Sequence, residues 1–250
     1  MEETAARRAA AALLDEHKKG VSFKPLDPRY GLVSIADAYE IQDRYVALLG
    51  AEHGEAIGYK VGLTSKAMQT FCGIDHPIAG VVLKSRVYES GAAARMKDFG
   101  RLGLEFEIAV RIKSDVPATA TPSMQGAIEL VDDRAADYGH LDVRSLVADN
   151  SWNAGIVLSP FATSWPDLES VLGKATRDGT AIGEGHGRDI LGHPFNSVAW
   201  LQAQLASRGG GLKRGQIVMT GSVMKTVFPT DAAAYRFTLE GLGSVEVRVN

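Results

Sequence analysis

Between residues 34 and 50 the apolar side chains Ile35, Ala38, Ile41, Tyr45 and Leu48 recur every three or four positions. That spacing predicts an amphipathic helix with these five as its buried stripe. Ser34 is placed to cap it, Asp37 occupies the capping-box position and Gly50 is the expected stop. An Ala-rich amphipathic stretch over residues 3–19 predicts an earlier helix ended by Gly20, and the two prolines of "SFKPLDPRYGLVS" make the connection a loop.

From Ala56 onward the pattern shortens. Gly-punctuated, β-like pieces appear at 56–65, 80–83, 103–112, 128–131, 154–158, 173–183, 215–220, 234–240 and 243–249. "TRDGTA" supplies an Asp-Gly hairpin turn, and "YRFTLEGLGSVEVRV" reads as two alternating strands about a Gly-containing turn. Thr64 or Ser65 can cap a short helix through Phe71. "NSVAWLQAQLASRG" reads as a helix capped by Asn196, with Gly209 beyond its end, and "IGEGHGRD" as a loop leaving a hairpin. Helices come first and strands follow without steady βαβ alternation, so the fold class is α+β. The simplest division is an N-terminal helical extension over 1–55 and a catalytic domain over 56–250.

Composition narrows the functional classes. The chain has 250 residues, 45% hydrophobic and 23% charged, with a formal charge of -3. No Lys/Arg stripe stands out, so a nucleic-acid partner is not expected. The single cysteine, Cys72, excludes an intrachain disulfide framework and a Cys-based zinc knuckle. The opening residues carry early acids and only a short apolar run, unlike a secretory signal. No run of ~20 apolar residues calls for a membrane span. A soluble, cytoplasmic protein is the expectation. GxxxxGK[ST], HExxH and GxSxG are all absent from the sequence.

Three regions carry candidate chemistry. In "GLEFEIAV", residues 103–110, Glu105 and Glu107 lie two apart and share one strand face. A half-solvated strand has the same alternation, so this segment alone decides nothing. "AIELVDDR" adds Glu129 in an apolar run, with Asp132, Asp133 and Arg134 after it. Carboxylates converging from two strands repel one another, and burial raises their pKa values. A divalent cation removes that conflict, and an all-oxygen donor set selects the hard ions Mg²⁺ or Mn²⁺. An ordinary ion pair, for example between Glu129 and Arg134, is the alternative.

The third region is "GYKVGLTSKAMQTFCGIDHPIAG". Lys60 stands between glycines that permit close approach of the backbone, and Thr64 and Ser65 open a helix. An ammonium beside a helix N-terminus suits a carboxylate ligand. Asp75 and His76 precede Pro77 in a loop, where a titratable group can act as acid or base. "VADNSWNAG" and "VMTGSVMKT" are polar islands whose Asn150, Ser151, Thr220 and Ser222 can bind substrate or serve as turn and cap residues.

Together with "IELVDDR", "VADNSWNAGIVL", "LGHPFNSVAWLQAQLASRGGGLKRGQIVMTGS" and the closing hairpin, the "KVGLTSKAMQ" and ExE pieces give a family likeness. The chain resembles the 2-keto-4-pentenoate hydratase and 4-oxalocrotonate decarboxylase branch of the fumarylacetoacetate hydrolase superfamily. The likeness spans nearly everything from the second helix onward. It implies a mixed β-roll or barrel with flanking helices, and oligomeric assembly. It also implies Glu105, Glu107 and Glu129 as metal ligands, Lys60 as the active-site lysine and Asp75 as a proton carrier. Two departures stand out. Phe106 occupies a position often held by proline, and Asp133 stands where serine is common.

The activity implied is metal-dependent hydration of a 2-hydroxy-2,4-dienoate to a 4-hydroxy-2-ketoacid, in the breakdown of aromatic ring-cleavage products. The alternatives are a 4-oxalocrotonate-type decarboxylase, an acylpyruvate C–C hydrolase, or a non-catalytic partner subunit. The partners implied are a small 2-ketoacid or dienoate, further copies of the chain, and a pathway decarboxylase.

Overall fold

The computed structural model describes residues 1–113 and 123–250. Helix α1 (Glu3–Lys18) and helix α2 (Ile35–His53) pack together at the N-terminal end. The capping box forms as expected: Asp37 N donates to Ser34 Oγ, and Ser34 N donates to the Asp37 carboxylate. Helix α2 does not stop at Gly50. Its carbonyl accepts from Gly54 N, and the chain leaves the helix at Gly54, where φ is 79°. An interior glycine weakens a helix by only ~1 kcal/mol, whereas the positive φ ends it. Leu48 is 40% exposed, so the buried stripe is Ala38, Ile41 and Tyr45, joined by Tyr39 and Gln42.

Seven strands form the larger sheet. They are β1 (Ala56–Gly62), β2 (Ile78–Leu83), β3 (Val87–Glu89), β5 (Leu102–Arg111), β6 (Ser123–Asp132), β7 (Asn153–Leu158) and β10 (Ile217–Ser222), in the order β2-β1-β10-β5-β6-β7-β3. The smaller sheet has the order β4-β12-β11-β8-β9. Its members are β4 (Ala92–Ala94), β8 (Leu172–Arg177), β9 (Thr180–His186), β11 (Ala233–Leu239) and β12 (Gly243–Val249). Asp178 and Gly179, with φ of 48° and 80°, make the anticipated tight hairpin between β8 and β9.

Short helices α3 (Lys66–Phe71) and α4 (Val143–Ala148) and the longer α5 (Pro194–Ala206) complete the fold. The three-residue strands β3 and β4 and the six-residue α4 are too short to leave a periodic signal. Helix α5 starts two residues before its expected cap. Pro194 fixes the first turn, His193 Nδ1 accepts from Phe195 N, and Asn196 donates to Leu191 O from within the helix. Most of "IGEGHGRD" lies in β9 rather than in a loop. Its glycines serve packing, since a Cβ on Gly185 would stand 1.9 Å from Val223 O.

Alternation along β5 and β6 divides the larger sheet into two faces. Phe106 and Ile128 take one face and pack on the smaller sheet, with Phe106 and Phe237 ring centroids 5.6 Å apart. The other face carries Glu105, Glu107 and Glu129. It continues into a separate apolar cluster of Val82, Ala109, Ala127, Ile156 and Met219. The acids therefore sit on the inner face of a curled sheet, at the border of a packed cluster. No helix among the described residues is long and apolar enough to cross a membrane.

Candidate active site

Glu105 and Glu129 are direct cross-strand partners on β5 and β6, and Glu107 follows two residues along β5. One carboxylate oxygen from each lies within 4.8 Å of the others. Like charges placed this way oppose folding. Each carboxylate is held by one neutral donor. Thr226 Oγ1 donates to Glu105 Oε1 at 2.7 Å, Gly221 N to Glu107 Oε2 at 2.8 Å, and Asn153 Nδ2 to Glu129 Oε1 at 2.9 Å. Two further oxygens, Glu107 Oε1 and Glu129 Oε2, are buried with no hydrogen-bond partner.

Local backbone irregularities aim these donors. Between Met219 and Ser222, β10 has one residue more than β5 opposite it, a bulge that turns the Gly221 N–H toward Glu107. Gly221 has φ of 114°, and a Cβ there would meet Thr64 at 2.5 Å. Before β7, three consecutive residues, Asn150, Ser151 and Trp152, have φ of 50–59°. Such a run costs about 1–3 kcal/mol per residue and persists only when the surroundings fix it. Here Asn150 exchanges two hydrogen bonds with the Val81 backbone, and Ser151 Oγ donates to Ala79 O. The turn delivers Asn153 to Glu129.

Lys60 on β1 extends over the same face, its Nζ 3.5 Å from Glu129 Oε1. Glycines make its channel. A Cβ on Gly62 would stand 3.1 Å from Nζ, and one on Gly80 would stand 3.1 Å from Lys60 Cγ. Burial favours loss of the lysine proton, but Glu129, Glu105 and Glu107 outweigh it and hold the pKa above the ordinary lysine value. Burial pushes Glu107 well above the usual carboxylate range, and Glu129 and Glu105 push the same way. Burial likewise raises Glu129, against the pull of Lys60, to about 7. The structure thus gathers three acids and one ammonium whose charges do not cancel.

Lys60 and Glu105 lie on the wall of a cavity of about 500 Å³, with Glu107 and Glu129 fully buried nearby. Thr64, Ser65, Ser151 and Ser222 also reach this wall. Ser65 caps α3 by accepting from Met68 N, while Ser222 Oγ exchanges hydrogen bonds with the Phe106 backbone. Asn150 and Thr220 do not line it. The Asn150 amide is committed to Val81, and Thr220 Oγ1 donates to Ile108 O. Asp75 is exposed in the loop between α3 and β2, away from the cavity wall. Arg134 is paired with Asp149 at 2.7 Å and Glu16 at 3.2 Å, so the ion pair to Glu129 comes from Lys60 instead.

Sequence reasoning missed Asn153, Thr226 and the Gly221 N–H, each of which holds a carboxylate. The first two belong to the polar islands already noted and sit a few residues from the named members. The apolar wall, which includes Met68, Leu141, Leu146, Met224 and Phe228, left no local signal because its members come from separate segments.

The residues present fit a divalent cation. The donor set is all oxygen, two of its buried oxygens are unpartnered, and one oxygen from each acid lies within 4.8 Å of the others, so small shifts bring all three to the ~2.1 Å of a magnesium–oxygen bond.

Comparison with known proteins follows this geometry. A family model described as fumarylacetoacetate (FAA) hydrolase C-terminal matches residues 51–250. A 2-keto-4-pentenoate hydratase of Paraburkholderia phymatum is 34% identical over 221 residues, 83% of each chain. Another of that name, from Burkholderia vietnamiensis, is 31% identical over 249 residues, 94% of each. Among solved structures, 4-oxalocrotonate decarboxylase from Pseudomonas putida G7, complexed with magnesium and adipate, superposes with a TM-score of 0.91. It is 25% identical, over 100% of this chain and 99% of that one.

Proposed function

The chain belongs to the fumarylacetoacetate hydrolase superfamily, in its 2-keto-4-pentenoate hydratase and 4-oxalocrotonate decarboxylase branch, and from that premise we propose that it hydrates a 2-hydroxy-2,4-dienoate to a 4-hydroxy-2-ketoacid. The observation that carries this reading is the triad of Glu105, Glu107 and Glu129, with two unpartnered buried oxygens beside Lys60. We assign the triad to Mg²⁺ or Mn²⁺, which when bound would draw charge from the carboxylate and C2 oxygen of the substrate.

The chain's own groups have distinct work. Lys60, kept protonated by the three acids, binds the anionic end of the substrate. Ser151 and Ser222 offer hydroxyls at the wall for positioning it, and Thr64 lies on the wall close against Gly221. Overall the dienol loses its C2 hydroxyl proton and gains one at C5 as it becomes the conjugated ketone. Water then adds its oxygen at C4, and its proton ends on C3. The largely apolar walls keep bulk water from the conjugated carbons. From its exposed loop Asp75 carries no step in this reading, and Asn150 and Thr220 are structural. In the same reading residues 1–55 are a helical extension of a catalytic 56–250 unit, the protein is cytoplasmic, and it works as a homo-oligomer.

Decarboxylation of a vinylogous keto-diacid is the second reading, favoured by the TM-score of 0.91 to the decarboxylase. It asks for a cation to hold the distant carboxylate. Arg95 is paired with Asp98, Arg101 with Asp133 and Arg134 with Asp149, which leaves Lys225, exposed on the cavity lining, as the cation that this reading would use. Purified protein with Mg²⁺ or Mn²⁺ is offered 2-hydroxypentadienoate and 4-oxalocrotonate, following ultraviolet loss and CO₂ release separately. Hydration without CO₂ release is expected, with turnover at least ~100-fold lower in Glu107→Gln as an electrostatic contribution to the reacting centre is lost. A Glu107→Gln variant that binds Mg²⁺ and hydrates at the wild-type rate refutes the assignment.

A further inference from the structure

The stretch of cavity wall formed by Tyr138 and Phe228 has a construction of its own. Asp133, fully buried, accepts a forked pair from Arg101, with Nε at 2.9 Å and Nη2 at 2.5 Å. It also accepts from Tyr138 Oη at 3.1 Å and from Ala135 N at 3.0 Å. The guanidinium so held lies 4.9 Å from the Phe228 ring centroid and 5.8 Å from that of Tyr138. Tyr138 and Phe228 line the cavity, whereas Arg101 and Asp133 do not. Gly103 completes the seat, since a Cβ there would meet Phe228 at 3.2 Å.

Arg101 is thus held behind the two rings and off the cavity wall. Leu141, Leu146, Met224 and Val131 also line the cavity, and its charged members besides Lys60 and Glu105, Asp189 and Lys225, are both exposed. A carboxylate pushed against the Tyr138 and Phe228 rings loses its water and gains no partner from them, whereas an alkyl group gains by leaving water.

We propose that the Asp133–Arg101 pair sets substrate class by backing an uncharged wall of Tyr138 and Phe228, so that the protein prefers dienoates with an apolar far end over diacids. This rests on the hydratase reading above. It makes Asp133 and Arg101 positioning residues that act through the two rings.

The test compares kcat/KM for 2-hydroxypenta-2,4-dienoate, its 5-ethyl homologue and the 5-carboxymethyl diacid, with Mn²⁺ binding measured in parallel. The ethyl homologue is expected to gain about fourfold per added methylene over the parent. The diacid is expected at least tenfold below the ethyl homologue. A diacid within tenfold of the ethyl homologue, or above it, overturns the proposal while leaving hydration intact. Mn²⁺ binding with no hydration of any of the three overturns the underlying reading instead. Asp133→Asn, checked for folding by circular dichroism, should free Arg101 and raise the ratio of diacid to ethyl turnover at least tenfold. An unchanged ratio in the folded variant removes Asp133 from the role, and if that variant does not fold, the wild-type series alone decides substrate class.

Discussion

Glu129 ties the charge of the acid cluster to stability in a way that pH can read. Its carboxyl titrates at about 7 in the metal-free fold, against an ordinary value of 4.5, because burial outweighs the pull of Lys60. As pH rises from 4.5 toward 7, the unfolded chain has released this proton and the folded chain still holds it. Glu129 must therefore make stability fall across that window, and Glu107, raised by the same burial, adds to the fall. At ~1.4 kcal/mol per pKa unit, the Glu129 loss amounts to roughly 3 kcal/mol. The Lys60 shift is also upward and has the same sign, but its loss of stability comes above pH 10.5, outside the window.

The assay is urea unfolding of protein treated with chelator at half-unit steps from pH 5 to 8. Glu129→Gln, which keeps the side chain's shape and removes its titration, should flatten the curve by about 3 kcal/mol, as should saturating Mn²⁺ on the wild type. A wild-type profile as steep in Glu129→Gln as in the parent would show that the burial cost has been misassigned.

Other substitutions separate the parts of the site. Gly221→Ala meets Thr64 at 2.5 Å at a φ of 114°, so a loss of about 2 kcal/mol in unfolding free energy and weaker Mn²⁺ binding by calorimetry are expected. Asn150→Ala removes both bonds to Val81 and should lower stability by ~2 kcal/mol, with its effect on KM staying under threefold in steady-state assays. Lys60→Met leaves buried acids uncompensated. It should cost the metal-free protein about 3 kcal/mol at pH 8 in denaturant titrations, and it should tighten divalent-ion binding by removing a like charge.

How far the sequence disclosed this arrangement depended on whether the signal was local. Alternation placed β5, β6, β8, β11 and β12 within a few residues, and the ExE spacing put Glu105 and Glu107 on one face. Glu129 as their partner required knowing the strand register, which no residue near it encodes. The polar islands before β7 and along β10 were legible as islands. Their working members were not, because a left-handed run and a bulge decide which side chain turns inward. Thus Asn153 and Thr226 hold acids, while Asn150 and Thr220 bind backbone. Asp75 looked equally chemical in its loop, but it is exposed away from the cavity. Short β3, β4 and α4 owe their form to tertiary pairing rather than to periodicity.

Lys60 explains why so unfavourable a cluster is tolerable before any ion arrives. Fully ionised, three acids and one ammonium leave two negative charges, the amount that one divalent cation neutralises. With Lys60 absent the imbalance would be three, and a bound ion would leave one carboxylate uncompensated in a dry site. With a second lysine, the demand for a divalent ion would largely vanish. The raised pKa values of Glu107 and Glu129 follow from the same imbalance, because a proton is the available substitute for the missing positive charge. Cation uptake below about pH 7 must then expel protons, and its apparent affinity should weaken as pH falls. Calorimetry in buffers of different ionisation enthalpy counts those protons directly. Release of none at pH 6 would mean that the acids are already ionised, and that Lys60 is not what balances them.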